Sequence, residues 1–258
     1  MTWLEQQRIR YTLRHHPISF EAWEALMHEA ELFSGLSAVQ KAHLRELTTL
    51  FLHRKTFSGV QGQAVSMEMA MSVAAQASLL ILSLGLDYYD GWIEIVIYPG
   101  SFRVVRESTD EIGLVSQQDQ LLSGESWSQG PVILSWDDVV ASHPGHNVVL
   151  HEFAHKLDML NGRANGMPPL HADMVRQRWT AAFSAAFEHL QRQLEHHQHP
   201  GINAYAATSP AEFFAVASEG FFTNPQVLQH QYPDVYEQLV LFYRQNPMKR
   251  WHCKEKKP

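Results

Sequence analysis

Cysteine is nearly absent: Cys253 is the only one, so no internal disulfide can staple the fold. The first residues, MTWLEQQRIRYTLRHHP, hold no apolar stretch of signal-peptide length. Both absences point to a cytoplasmic protein. Positive charge is also scarce, with 20 Lys and Arg against 27 Asp and Glu, a net charge of -7. Nucleic-acid affinity rests mostly on cations that neutralise phosphates, and the short basic tail of Lys254, Lys256 and Lys257 does not reverse the balance. No direct nucleic-acid partner is expected. Long hydrophobic runs are missing too. The most apolar one, Val73 to Leu86, carries Gln76 and stops at Asp87, so it is too short for a bilayer and reads as a buried helix. No membrane partner is expected either.

What is present is an ordinary globular balance, 45% hydrophobic and 18% charged, in a 258-residue chain long enough for one sizeable core. Histidine stands out with 16 residues, but several lie in EHHQHPG, a polar stretch that reads as a solvated helix end. From Ile18 to His53 apolar residues recur at helical spacing, as in Phe20, Trp23, Leu26 and Met27, then Leu44, Leu47, Leu50 and Phe51. TFSGVQG breaks that pattern. After Gly91, WIEIVIYPGSFRVV alternates around a Pro-Gly turn and predicts two strands, with Ile93, Ile95 and Ile97 on one side. GLVSQQ and, after a Gly/Ser-rich turn, GPVILSW add further strands. Helices return over Met174 to Leu194, Pro210 to Phe222 and Val235 to Tyr243. With no internal repeat or long linker, the expectation is one α+β domain over residues 1–258: 1–90 mainly helical, 91–140 the sheet, 141–258 a helical catalytic part.

The chemistry centres on HEFAH. HExxH recurs by chance in sequences this rich in histidine, so its surroundings decide. Asn147 is placed as an N-cap and Asn161-Gly162 as a stop, which frames VVLHEFAHKLDML as one helix. At about 100° per residue, Val149, Phe153, Leu157 and Leu160 fall on one side, and His151, Glu152, His155 and Asp158 gather on the other. Histidines at i and i+4 can aim their imidazole nitrogens at one ion, as a tetrahedral Zn2+ requires. Glu152 then lies beside the metal, where it can take a proton from the metal's water and later return it to the leaving amine. The bland alternative is a surface helix with two solvated histidines.

A catalytic zinc needs a third ligand. The extended metzincin motif fails, because Asp158 and Asn161 stand where it needs Gly and His. A distant carboxylate is expected instead, and Glu212 in YAATSPAEFFAVASEGFF is the best candidate. Ser209 and Glu212 also spell a capping box, in which the glutamate would bond back to Ser209. Glu219, on the same helical face, is either a substitute ligand, a support behind the ligands, or a surface ion-pair partner. Asp158 opposes the dipole at the end of its helix, and a bond to a ligand histidine would explain it. Tyr205, seven residues before Glu212, can reach the oxygen that becomes negative in a tetrahedral intermediate, or can be a core tyrosine. Trp136 either lines a substrate cleft, with the open edge of the GPVILSW strand pairing to an extended peptide, or is simply buried.

HEFAHKLDMLNG followed by YAATSPAEFFAVASE resembles the Mlc titration factor A family of bacterial zinc peptidases. AAQASLLILSLGLDYY, IVIYPGSF, GPVILSWDDV and GHNVVLHEFAH, in this order, are similar to its other segments, from about Phe57 to Phe222. The resemblance implies a zincin-like core of gluzincin type, with a small sheet, an active-site HExxH helix and a second ligand-bearing helix behind an N-terminal helical layer. It implies one zinc per chain on His151, His155 and Glu212, Glu152 as general base and Tyr205 as transition-state support. The catalytic half also resembles the protease domain of anthrax lethal factor, with one departure: Val216 stands where that domain has a further Glu. By the same resemblance, a peptide substrate, aminopeptidase-like cleavage and binding of an Mlc-type glucose repressor that controls sugar phosphotransferase genes are expected. The competing reading is a repressor-sequestering binding protein whose zinc is structural or regulatory.

Overall fold

The computed structural model describes residues 3–100, 102–109, 115–122, 124–126 and 130–254. Helices α1 (Trp3–His15), α2 (Phe20–Glu29) and α3 (Ala38–Arg54) come first, then strand β1 (Thr56–Gly59) and helix α4 (Met67–Leu80). Strands β2 (Glu94–Tyr98), β3 (Phe102–Thr109), β4 (Val115–Leu122), β5 (Gly124–Ser126) and β6 (Val132–Ser135) follow. The chain closes with α5 (Trp136–Val140), α6 (Val148–Asp158), α7 (Arg176–Glu195), α8 (Pro210–Thr223), α9 (Pro225–Gln231), α10 (Pro233–Tyr243) and α11 (Pro247–Lys254). This is the α+β arrangement expected of a zincin-like metallopeptidase. Lys256 and Lys257 of the basic tail, and 127–129 of the Gly/Ser-rich turn, lie outside the described residues.

The main sheet has the order β1-β2-β6-β5, with β1, β2 and β6 parallel and β5 antiparallel on β6. Strands β3 and β4 form a separate antiparallel pair. Alternation holds in β2, where Ile95 and Ile97 are fully buried beside Val132 and Leu134 of β6. Ile93 departs from it. It precedes the strand and is 65% exposed, its carbonyl accepting a hydrogen bond from Thr56 N. TFSGVQG, read as a mere break, contains β1. That strand pairs on one side only and shows no alternation of burial, so it left no period-two signal. Its last residue must be glycine, because a Cβ on Gly59 would lie 1.8 Å from the Gln63 carbonyl oxygen.

The apolar run from Val73 is a buried helix, but α4 starts earlier, at the cap Ser66, and ends at Leu80. The chain then turns through Gly85, whose φ of 100° only glycine adopts readily, into a 3-10 turn over Leu86–Tyr89. Alanines 74, 75 and 77 of α4 are fully buried and let α3 and α6 approach closely. On the other side of α6, Phe153 packs among Phe51, Tyr89 and Trp92, with ring centroids 5.2 to 5.7 Å away. Burying such a ring contributes about 1.5–3 kcal/mol and fixes which face of α6 turns toward α8.

The division of α6 into a packed and an open face holds only in part, because the helix is buried nearly all round, Lys156 and Asp158 included. Leu160, expected on the packed side, is 41% exposed. The α-helix stops at Asp158, and the following 3-10 turn rotates Leu160 outward.

Candidate metal centre

Three hydrogen bonds at Asn147 fix where α6 begins. Its Oδ1 accepts from Leu150 N at 2.8 Å, the N-cap role expected of it. Its Nδ2 donates to Gln76 Oε1 on α4 at 2.7 Å, and its backbone N donates to Glu219 Oε2 on α8 at 2.6 Å. The start of α6 is thus tied to both helices that flank it. His151 and His155 follow one turn apart and face α8.

On α8, Ser209 Oγ accepts from Glu212 N at 3.2 Å, with Pro210 in the first turn. The glutamate's carboxylate does not complete a capping box. Glu212 Oε2 lies 3.0 Å from His151 Nε2 and 3.2 Å from His155 Nε2, and the two Nε2 atoms are 3.2 Å apart. Atoms bound at about 2.0–2.1 Å to a tetrahedral zinc stand roughly 3.3 Å from one another, so this near-equilateral triangle is close to one face of such a polyhedron. Two imidazoles and a carboxylate are also a donor set that zinc takes. Among the described residues this is the one His/Cys/Asp/Glu group whose ligand atoms converge in this way.

Glu219 sits behind His151. Its Oε1 is 2.6 Å from His151 Nδ1, and its carboxylate is only 3% exposed. Against a carboxylate that ring nitrogen must carry the proton, which leaves the Nε2 lone pair pointing at the triangle. Burial of the ring opposes the charged form. The hydrogen bonds to Glu212 and Glu219, with the charges of Glu219 and Glu152, outweigh it and hold the imidazole well above its usual range. Burial would likewise raise Glu212, but the hydrogen bonds and charges of both histidines hold it well below the usual carboxylate range. The pocket therefore stabilises positive charge between these side chains, whether carried by a proton or by a cation.

Glu152 is buried next to His151, and its charge bears on both His151 and Lys156. Tyr205 lies at the rim, 44% exposed, with its ring centroid 6.1 Å from that of His151. It is not a core tyrosine. A 3-10 turn over Ala204–Ala207 presents it, started by Asn203, whose Oδ1 accepts from Tyr205 N at 3.0 Å.

Two expectations need correction. Asp158 makes no hydrogen bond to a ligand histidine. Its Oδ2 instead accepts from the backbone N of Asn165 and Gly166, at 2.8 and 2.7 Å, and pins the loop after α6. Burial raises its pKa, and those backbone bonds, together with the charge of His155, only partly counter this, so Asp158 still bears on that histidine through its charge. The turn that carries these amides folds back under the helix end, a contact no local spacing rule encodes. The second correction concerns the strand that ends at Trp136. β6 is flanked by β2 on one side and β5 on the other, so it has no open edge. Trp136 begins α5 and packs, half-buried, against the core. The outer strand on the α6 side of the sheet is β5.

Sequence reasoning missed the links of Asn147 to Gln76 and Glu219, and also His146, whose Nδ1 lies 3.6 Å from Glu219 Oε2. The only local signal was the polarity of Gln76 in an otherwise apolar run.

Comparison with known proteins places the chain in a family. The model of the family described as glucose-regulated metallo-peptidase M90 matches residues 2–244. The chain is 40% identical to Mlc titration factor A of Cronobacter sakazakii over 238 residues, 90% of this chain and 89% of that one. With Mlc titration factor A of Salmonella arizonae it shares 40% identity over 224 residues, 85% and 89% of the two chains. The Yersinia pestis protein of the same name is 37% identical over 238 residues, 88% of each. With a family match over nearly its whole length and relatives this similar across most of theirs, the chain belongs to the glucose-regulated metallo-peptidase M90 family, alongside the Mlc titration factor A proteins.

Proposed function

We propose that the protein is a zinc-dependent peptidase of gluzincin type, aminopeptidase-like in its cleavage, with one zinc per chain held by His151, His155 and Glu212. The observation that carries this reading is the convergence of His151 Nε2, His155 Nε2 and Glu212 Oε2 to within 3.2 Å of one another. When bound, the zinc supplies Lewis acidity toward the scissile carbonyl and makes a water acidic enough to deprotonate near neutral pH.

The chain's own groups do the rest. Glu152 accepts the proton of the attacking water and delivers it to the leaving amine. The Tyr205 hydroxyl, at the rim, donates to the oxygen that becomes negative. Glu219 keeps the His151 ring in one tautomer and one orientation. The outer edge of β5, rather than β6, offers backbone groups for an extended peptide.

The name shared by the relatives supports a second role: this chain also binds an Mlc-type repressor, in the cytoplasm, and so adjusts expression of sugar phosphotransferase genes. In the strict form of that reading zinc is structural or regulatory and nothing is cleaved. Glu152→Gln separates the two. Zinc content and repressor binding are expected to persist, while peptide turnover falls by about 10²–10⁴-fold, the usual contribution of a general base. Unchanged turnover in the zinc-loaded variant removes Glu152 from this role. No turnover by the wild type on any peptide, with repressor bound, favours the sequestering protein.

A further inference from the structure

A cleft of about 490 Å³ opens beside the metal centre, and none of the roles above uses it. Segments that already serve the site bound it. One wall is the turn from His143 to His146, closed by backbone hydrogen bonds of 3.0 and 2.8 Å and leading straight into Asn147 and α6. A second is the segment Gly201 to Asn203, which leads into Tyr205. Helix α8 contributes Val216 and Gly220, one and two turns beyond Glu212, and α9 closes the far side. At 1.5 Å rise per residue, Val216 stands about 6 Å along α8 from Glu212. The wall is also fastened to the site. His146 Nδ1 lies 3.6 Å from Glu219 Oε2, and Gly145 N donates to Thr223 Oγ1 on α8 at 2.9 Å.

The lining decides what fits. Ile202, Val216, Val227 and Leu228 make an apolar floor, while the two imidazoles and the amides of Asn203 and Asn224 form a polar rim. No Asp, Glu, Lys or Arg is among the described residues that line it. A charged side chain entering here would lose water without meeting a fixed counter-charge. A small one would leave the floor exposed. A ring or a long aliphatic chain gains from the apolar burial and keeps its far end near the rim. We propose that this cleft receives a large uncharged side chain, aromatic or long aliphatic, from the peptide residue that flanks the scissile bond, an inference that rests on the peptidase reading.

Gly220 is the position on α8 where the cleft can be narrowed. A Cβ built there would meet nothing closer than Leu228 Cβ and Cδ1, both at 3.9 Å, an ordinary contact. A side chain at this position meets Leu228, a residue of the cleft lining, before any backbone of another element, and replacing a glycine inside a helix favours the helix.

The test compares wild type with Gly220→Leu and the milder Gly220→Ala on a peptide library. Cleavage sites are read by mass spectrometry, alongside thermal melts and metal content. Wild type is expected to favour Phe, Tyr or Leu over Ala and Gly at one of the two positions flanking the bond. That preference ratio should fall at least about tenfold in Gly220→Leu, and less in Gly220→Ala. A folded, metal-loaded Gly220→Leu protein with the wild-type preference overturns the proposal, as does a wild type indifferent to side-chain size. Calorimetric titration of Phe-containing and Ala-containing peptides with free N-termini into Glu152→Gln, with and without Gly220→Leu, separates this from the hydrolytic reading. Tighter Phe binding that Gly220→Leu abolishes supports the cleft even if no peptide is ever cleaved. Equal binding of the two peptides overturns the cleft even where hydrolysis proceeds.

Discussion

Replacing Glu219 by Gln removes one charge at constant size, and its effect on metal binding follows from two distances. Glu219 Oε1 accepts from His151 Nδ1 and Oε2 from Asn147 N, each at 2.6 Å. A carboxylate can serve both donors, but an amide has a single acceptor oxygen, so one N–H must then face an NH₂ group. If the oxygen stays with the helix cap, His151 loses the bond that orients it. A hydrogen bond to a charged group contributes about 1.5–3 kcal/mol, which at about 1.4 kcal/mol per decade is roughly one to two decades of affinity. That agrees with the roughly 10- to 100-fold cost of losing a partner behind a metal ligand.

An opposing effect sets the pH dependence. Glu219 also helps to hold the His151 pKa above its usual value, and a proton on that ring competes with the cation. Below the raised pKa, each pH unit costs the wild type about tenfold in apparent affinity. In Glu219→Gln the competition sets in at lower pH. The variant should therefore bind zinc about 10- to 100-fold more weakly on the alkaline plateau, and the gap should narrow as pH falls. Competition against a chromophoric chelator across a pH series, with melts of the metal-free protein at each pH, measures both effects. An alkaline plateau equal to that of the wild type, or curves that stay parallel at every pH, would refute the reasoning.

Two further outcomes follow from the same structure. Glu212→Ala removes the carboxylate that meets both imidazoles but keeps the Ser209 cap, which uses only the backbone N, so zinc content should drop, and the metal-free melting temperature should fall too because His151 loses a partner of its charged form. Full zinc retention on metal analysis would transfer the third ligand to another residue. Lys55 and Lys156 lie 3.7 and 4.7 Å from the Trp92 ring centroid, and burial pushes both ammonium groups down to about 8. The unfolded chain, with lysines near 10.5, then binds more protons between those two values, so stability should climb with pH through that window. Urea midpoints at the two ends of the window should rise in wild type and rise less in Lys156→Met; a flat or falling profile in wild type counts against the buried charges.

The features legible in the sequence are those set by chain-local geometry. The Asn147 cap needs only its own helix start, the alternation of Ile95 and Ile97 needs only the pleat, and two histidines one turn apart share a face wherever that helix sits. The capping signal at Ser209 was equally local, and it is present. Spacing could not choose between two partners for one side chain. Glu212 had a near partner in the Ser209 backbone and remote ones in His151 and His155, and the packing of α6 on α8 decided between them by bringing two buried imidazoles within reach. The same packing gave Glu219 its two donors, and the turn at Asn165 and Gly166 supplied the backbone donors that Asp158 accepts from. β1 and β5 belong to this class too, because a short strand is stabilised by the neighbour it pairs with rather than by its own pattern. Spacing along one element is a property of the chain, whereas the partner of a carboxylate depends on distances between elements, and those exist only once the core has packed.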